Sequence, residues 1–167
     1  NHSCVKPGKF EVQLSVRDDD GAEGYSRINV TVANVEPSVQ AMEDRRAMED
    51  ETVQFTGTGN DTPSDRAKLS FKWDFGDGNL TAYSSSPKTS HAYTQKGNYT
   101  AMLSVKDPNL AVTTASVNIT VLNPAPSCEI MAEFLDRTFA EDKSVVFDGT
   151  GSDNPSDIQS LMFQWDF

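Results

Sequence analysis

Basic clusters, long apolar runs, cysteine pairs and histidine are all scarce in this 167-residue sequence. No apolar stretch approaches the roughly 18 residues that a bilayer-crossing helix needs, which excludes a helical span in these residues. Lys and Arg number 14 against 25 Asp and Glu, for a net charge of -11. Nucleic acid and anionic membrane surfaces both require clustered Lys and Arg, so neither is an expected partner. The acidic balance reads first as a solubilising surface, and second as an attraction for divalent cations.

Histidine occurs only as His2 and His91. Neither has a Ser or Cys nucleophile beside it at any recurring spacing, and no paired carboxylates mark a cleft for acid–base work. The sequence therefore reads as non-enzymatic, with His91 a structural hydrogen-bonding residue. Apolar spacing of the helical kind is also missing over any stretch of ten residues. What remains is strict alternation.

Leu69, Phe71, Trp73 and Phe75 fall at every second position, so in a strand they share one face. Gly76-Asp77-Gly78-Asn79 follows, a tight-turn sequence in which glycine supplies positive φ. The strand returns as Leu161-Met162-Phe163-Gln164-Trp165-Asp166-Phe167, and its approach repeats too, Phe55 to Asp65 matching Phe147 to Asp157 at a shift of 92. A second match, at a shift of 89, runs from His2 and Gly8–Asp18 on His91 and Gly97–Asp107 to Pro37-Ser38 on Pro126-Ser127. The three-residue difference is an insertion between Ser127 and Phe147.

These shifts predict tandem units of about 90 residues: the back half of one (1–36), a complete one (37–125) and the front half of a third (126–167). A unit of that size can bury its own core without metals or disulfides. Because Phe167 stops one residue before the expected turn, the chain reads as a stretch of a longer polypeptide. Proline-bearing joints at Val35-Glu36-Pro37 and Asn123-Pro124-Ala125-Pro126 suggest semi-rigid connections and an extended rod.

Along the first half-unit, Phe10, Val12, Leu14 and Val16 are expected to face inward, as are Ile28, Val30 and Val32 on the following strand. In the complete unit, strands are expected at 38–42, 52–56, 69–75 and 80–83. The charged stretch Glu43–Glu51 is expected to form no more than a turn, and 62–65 and 84–90 are read as loops. Tyr99, Ala101, Leu103 and Val105 then form one inward face, and Val117, Ile119 and Val121 the last. Val53 and Phe55 point inward, and Val145 and Phe147 repeat that pair. Short alternating strands with regular turns specify an all-β antiparallel sandwich, whose expected core includes Phe71, Trp73, Phe75, Tyr99, Leu103 and Trp165. Trp73 is read as core rather than ligand platform. Tyr25 and Tyr83 are expected at the surface and do not recur, so no repeated sugar-stacking site is indicated.

Asparagine points to the compartment. Six of ten Asn residues lie in Asn-x-Ser/Thr triplets (Asn1, Asn29, Asn60, Asn79, Asn98 and Asn118) against about one or two by chance. Asn29 and Asn118 are equivalent and point outward. N-linked glycans and an extracellular or cell-surface location are the expectation. Cys4 and Cys128 lie a whole unit apart and do not read as a pair. Isolated thiols, partners elsewhere and a link between chains stay open. Asp77 is expected to bond its own turn and Asp74 to anchor a neighbouring loop. The alternative is a calcium site drawing on Asn60, Asp61, Asp65, Asp74, Asp77 and Asp107, since Ca²⁺ takes six to eight oxygens.

Trp73-Asp74-Phe75-Gly76-Asp77-Gly78, followed by His91-Ala92-Tyr93, Gly97-Asn98-Tyr99 and Leu103-Ser104-Val105-Lys106-Asp107, resembles the PKD (polycystic kidney disease) domain family. The resemblance implies Ig-like sandwiches on surface or secreted proteins, acting as spacer, adhesion or assembly modules. Neighbouring repeats, identical chains, polysaccharides and matrix proteins are the partners it suggests. Two positions depart from the pattern: Cys4 replaces the tyrosine of the H-x-Y motif, and Pro108-Asn109-Leu110 replaces the acidic turn seen as Asp18-Asp19-Asp20-Gly21.

Overall fold

The computed structural model describes residues 2–130 and 138–167. Alternation becomes strand wherever a partner strand is available to pair with it. The first pair is β1 (Gly8–Arg17) and β2 (Glu23–Val32), antiparallel in a register that runs from Gly8 opposite Val32 to Arg17 opposite Glu23. Next come β3 (Ser38–Ala41), β4 (Arg45–Met48), β5 (Thr52–Phe55) and β6 (Gly57–Asn60). A 3-10 turn at Arg66–Lys68, matched by one at Ile158–Ser160 at the 92-residue shift, leads into β7 (Ser70–Asp74). Then follow β8 (Thr89–Ala92), β9 (Gly97–Lys106) and β10 (Val112–Leu122). The last pair is β11 (Ser127–Ile130) and β12 (Gly149–Ser152).

Residues 38–122 form an Ig-like β-sandwich. One layer is a four-stranded sheet in the order β4-β10-β9-β7. In the other, β3 pairs with β6 and β5 with β8, and Thr56 alone separates β5 from β6. The inward faces interdigitate. Val53, Phe55, Leu103, Val105 and Ile119 are fully buried, and Trp73 and Val117 are 1% exposed. Phe55 meets Trp73 and Phe75 edge-on at 5.1 Å in each case, the geometry that suits the charge distribution of aromatic rings. The indole N–H of Trp73 donates to the Pro87 carbonyl at 2.9 Å, so burying the ring leaves no polar atom stranded. Phe71, Phe75 and Leu103 are core as expected, and Tyr99 packs against that core from its edge.

The same register recurs outside the sandwich. Shifted by 89 residues, the β1–β2 pairing coincides with that of β9–β10, Gly97 lying opposite Val121 as Gly8 lies opposite Val32. In the same way Ser127 lies opposite Ser152 as Ser38 lies opposite Asn60.

Five expectations are corrected. The 43–51 stretch is more than a turn: Arg45–Met48 is β4, parallel to Ile119–Leu122. Only Ala47 of that strand faces the core, so its pattern carries no local alternation, and charged residues suit an edge strand. The 80–83 stretch, by contrast, makes only isolated bridges, Leu80 to Asp74 and Ser84 to Phe71. There the Thr81 hydroxyl accepts from the Trp73 backbone N–H at 2.9 Å, where a ladder would use a carbonyl. Trp165, expected in the core, is 41% exposed, and Phe147 is 43% exposed. Residues 161–167 are not a strand, because β7 takes its rungs from β9 and no described strand offers them to 161–167. Phe10, Val12, Leu14, Val16 and Ile28 do share one face, but they are exposed because, among the described residues, no second layer packs on β1 and β2.

Candidate functional site

Two polar clusters sit at opposite ends of the sandwich. At the end of β7, the Asp74 carboxylate accepts from the Gly76 N–H at 3.0 Å, closing its own turn rather than anchoring another loop. Asp77 accepts from the backbone N–H and the side-chain amide of Asn79, at 3.0 and 3.1 Å. It also bonds His91 Nε2 at 2.6 Å. The His91 ring stacks on Phe75 at 4.1 Å and meets Tyr93 edge-on. Burial alone would push the Asp77 carboxyl upward, but the bonds from His91 and Asn79 outweigh it and hold the carboxyl below the usual range. Tyr93 donates to the Phe75 carbonyl at 2.9 Å. Burial first, then the Asp77 charge and Tyr99, push its hydroxyl well above the ordinary tyrosine range. His91 is thus a structural residue, held by a carboxylate and two aromatic rings.

At the far end of β9, Asp107 is 2% exposed and fully engaged. Its carboxylate accepts from the N–H groups of Asn109 and Ala111, at 2.9 and 2.8 Å, and from the Asn34 amide at 2.6 Å. The Asn109 amide donates to Asn34 at 3.0 Å and to Asp65 at 3.1 Å. Asp61 lies nearby in sequence, with one oxygen accepting from Thr62 N–H and the other buried without a partner. The six candidate cation ligands are therefore divided: Asp65 and Asp107 are joined through Asn109, and Asp74 and Asp77 lie at the other end. Among the described residues, no three His, Cys, Asp or Glu side chains are grouped as they would be to hold a metal ion.

On the other flank, Glu49 accepts from the Lys96 N–H and from the Asn154 amide at 3.2 Å, and Asp50 accepts from the Ser156 N–H at 2.9 Å. Each flank also carries a cleft. Lys6, Pro7, Asn34 and Asp65 line one; Gln95, Lys96, Asn123 and Asp157, their counterparts in the repeat, line the other.

Of the glycosylation candidates, Asn29, Asn60, Asn79, Asn98 and Asn118 are all exposed, and Asn1 lies outside the described residues. Cys4 and Cys128 are exposed and unpaired. Tyr25 and Tyr83 are at the surface as read from the sequence, with the Lys106 ammonium 3.9 Å over the Tyr83 ring. Among the described residues, no helix is long and apolar enough to cross a membrane.

A family model described as PKD domain matches residues 34–121, over half of the chain. The chain belongs to the PKD domain family. Among curated proteins, Collagenase ColA of Clostridium perfringens is 32% identical over 93 residues. That match takes in 56% of this chain and 8% of the collagenase, so the chain spans under a tenth of that relative. Among solved structures, the PKD1 domain of Vibrio anguillarum Epp is similar at 26% identity and a TM-score of 0.44, over 55% of this chain and 100% of that one. The PKD1 domain from Vibrio cholerae metalloprotease PrtV is similar at 23% identity and a TM-score of 0.39, over 52% and 98%.

Within this PKD domain, sequence reasoning missed Asn34, Glu49 and Asn109, which join its flanks to their neighbours. Asn34 and Asn123 recur at the 89-residue shift, a coincidence beside each proline joint that could have marked them. Nothing in the local pattern around Glu49 distinguishes it from its charged neighbours.

Proposed function

We propose that the chain is part of a non-catalytic extracellular spacer, a tandem array of PKD domains in a glycosylated cell-surface, filament or surface-layer protein. The observation that carries this reading is the polar bracing at both flanks. Asn34 is held by Asp107 and Asn109, and Asn154 by Glu49. Joints of a few residues with such bonds resist bending and keep successive units in line. The exposed Asn-x-Thr triplets would carry glycans, and the acidic surface would limit non-specific association. Small-angle scattering tests the reading: an elongated particle is expected, and a compact one rejects the spacer.

A second reading, an accessory binding module of a secreted enzyme, is favoured by the 93-residue match to a collagenase. Co-sedimentation with insoluble collagen and with polysaccharides separates the two. Retention on either matrix supports the binding module, and recovery in the supernatant supports the spacer.

A further inference from the structure

We propose that the two proline-bearing joints are held by different devices, and that Asn109 is the positioning residue that locks the first joint, where the clamp of the second cannot form. At the second joint Glu49 is a two-armed acceptor, buried to 6% exposure. It takes the Lys96 N–H from its own domain and the Asn154 amide from the unit that follows. Asn154 suits that place because its side chain carries an acceptor and a donor. Its Oδ1 accepts from the Ser156 hydroxyl at 3.1 Å and from the Asp157 N–H at 3.0 Å, which leaves Nδ2 to cross the joint.

The first joint has lost both of these donors. The repeat sets Pro7 at the position of Lys96, and proline has no N–H to give. It sets Thr62 at the position of Asn154. The Thr62 hydroxyl lies 3.1 Å from that of Ser64, repeating the local bond of Asn154, but threonine has no second polar group to reach across. A carboxylate placed like Glu49 would find neither partner here.

The replacement sits in the turn between β9 and β10. Asn109 Nδ2 donates to Asn34 Oδ1 at 3.0 Å and to Asp65 at 3.1 Å, while Asn34 Nδ2 donates to Asp107 at 2.6 Å. Both ends of the Asn34 amide are thereby gripped. The turn between β1 and β2 cannot do this, because Asp20 stands at the position of Asn109 and a carboxylate has no hydrogen to donate. The two turns otherwise share one shape. Asp107 N–H donates to the Ala111 carbonyl at 3.0 Å, as Asp18 N–H does to that of Ala22 at 3.1 Å. Each also needs a positive φ at its fourth residue, +89° at Gly21 and +74° at Leu110. A leucine kept in a left-handed conformation marks a turn fixed by more than its own sequence, and the bonds to Asn34 and Asp65 supply that extra hold. This division of labour rests on the bonds at the flanks, and it would serve a spacer and a binding module alike.

Nitrogen-15 relaxation on the 167-residue chain provides the test, with β9 in the same spectra reporting an intact central domain. In the wild type, Asn34 and Val35 are expected to be as ordered as β9, with order parameters of about 0.85. Asn109→Asp copies the first unit's turn, and Asn109→Ala removes the donor without adding charge. Both should drop Asn34 and Val35 below about 0.6 and leave residues 153–157 unchanged. Asn154→Thr, which copies the first joint, should loosen 153–157 and leave Asn34 and Val35 unchanged. Leu110→Gly keeps Asn109 in place, so both joints should stay ordered while the melting temperature rises. A wild-type Asn34 that moves freely, or one that keeps its order in both Asn109 variants, overturns the proposal. So does loosening of both joints by a substitution at either one.

Discussion

The Tyr93 hydroxyl donates to the Phe75 carbonyl at 2.9 Å, and both residues lie in the core. This bond fastens the strand leading into β9 to the segment leaving β7, so the two layers meet at one fixed spacing. Tyr93→Phe would keep the ring and leave a buried carbonyl unpaired, at a cost of about 1–3 kcal/mol. Urea unfolding followed by near-ultraviolet circular dichroism should show the midpoint falling with an unchanged slope.

Trp73 and Trp165 occupy equivalent positions in the repeat but different environments, at 1% and 41% exposure. Trp73→Ala should cost about 3–5 kcal/mol, a large part of the stability of a domain this size. Trp165→Ala should cost the central domain less than about 0.5 kcal/mol, as for surface substitutions in general. Equal losses at the two positions would contradict the arrangement described here.

Gly76 has φ of +79°, and a Cβ there would come within 2.5 Å of the Thr100 carbonyl oxygen. Gly76→Ala therefore meets both a strained backbone and a rigid obstacle. The loss should exceed the ~1 kcal/mol of conformational strain alone. Gly78→Ala, also at positive φ but with nothing within 4 Å, should cost only the strain. Thermal melts of the pair distinguish the two contributions.

The Asp77 carboxyl is held below its ordinary range by His91 and Asn79, against the upward push of burial. The folded state therefore binds this proton less readily than the unfolded chain. Its stabilising contribution is present above the unfolded value, about pH 4, and is lost as pH falls through the depressed folded value. Stability measured by urea titration should decline in that acidic window. In Asp77→Asn the decline should be shallower, starting from a lower plateau at neutral pH.

Asn98 lies opposite Thr120 and Asn118 opposite Thr100, so two Asn-x-Thr triplets are laid side by side on β9 and β10. Expressed through a glycosylating secretory route, the chain should lose one glycan mass with Thr100→Ala and one with Thr120→Ala. Unchanged masses in both variants would remove these two sites from consideration.

Alternation made the central domain legible, because β5, β7, β9 and β10 each place apolar residues on a single face and burial follows that face. The strand 45–48 escaped because Ala47 is its sole inward residue and its pairing comes from β10, more than seventy residues away. At 80–83 the opposite happened: a plausible strand gave way to a threonine side-chain bond that no periodicity encodes. Trp165 shows that a repeated motif predicts an environment only when its partner strand is also at hand. The polar clusters were half legible. Asp74 and His91 stood out because they recur as Asp166 and His2, and Asp77 because it sits in the Gly-Asp-Gly turn, while Asn109 was visible only as a departure and gained its role from Asp65 and Asn34, both distant in sequence.

Strand β4 runs parallel to β10, with Arg45 opposite Ile119 and Met48 opposite Leu122. The chain enters the domain at Pro37, whose carbonyl accepts from the Thr113 hydroxyl near the start of β10, and leaves past Leu122 at the other end of that strand, while β4 and β10 head the same way. Tension on the two ends would slide these strands past each other, loading their hydrogen bonds in shear together instead of peeling them open one at a time. A charged stretch that read in the sequence as no more than a turn would then be what keeps a stretched domain shut.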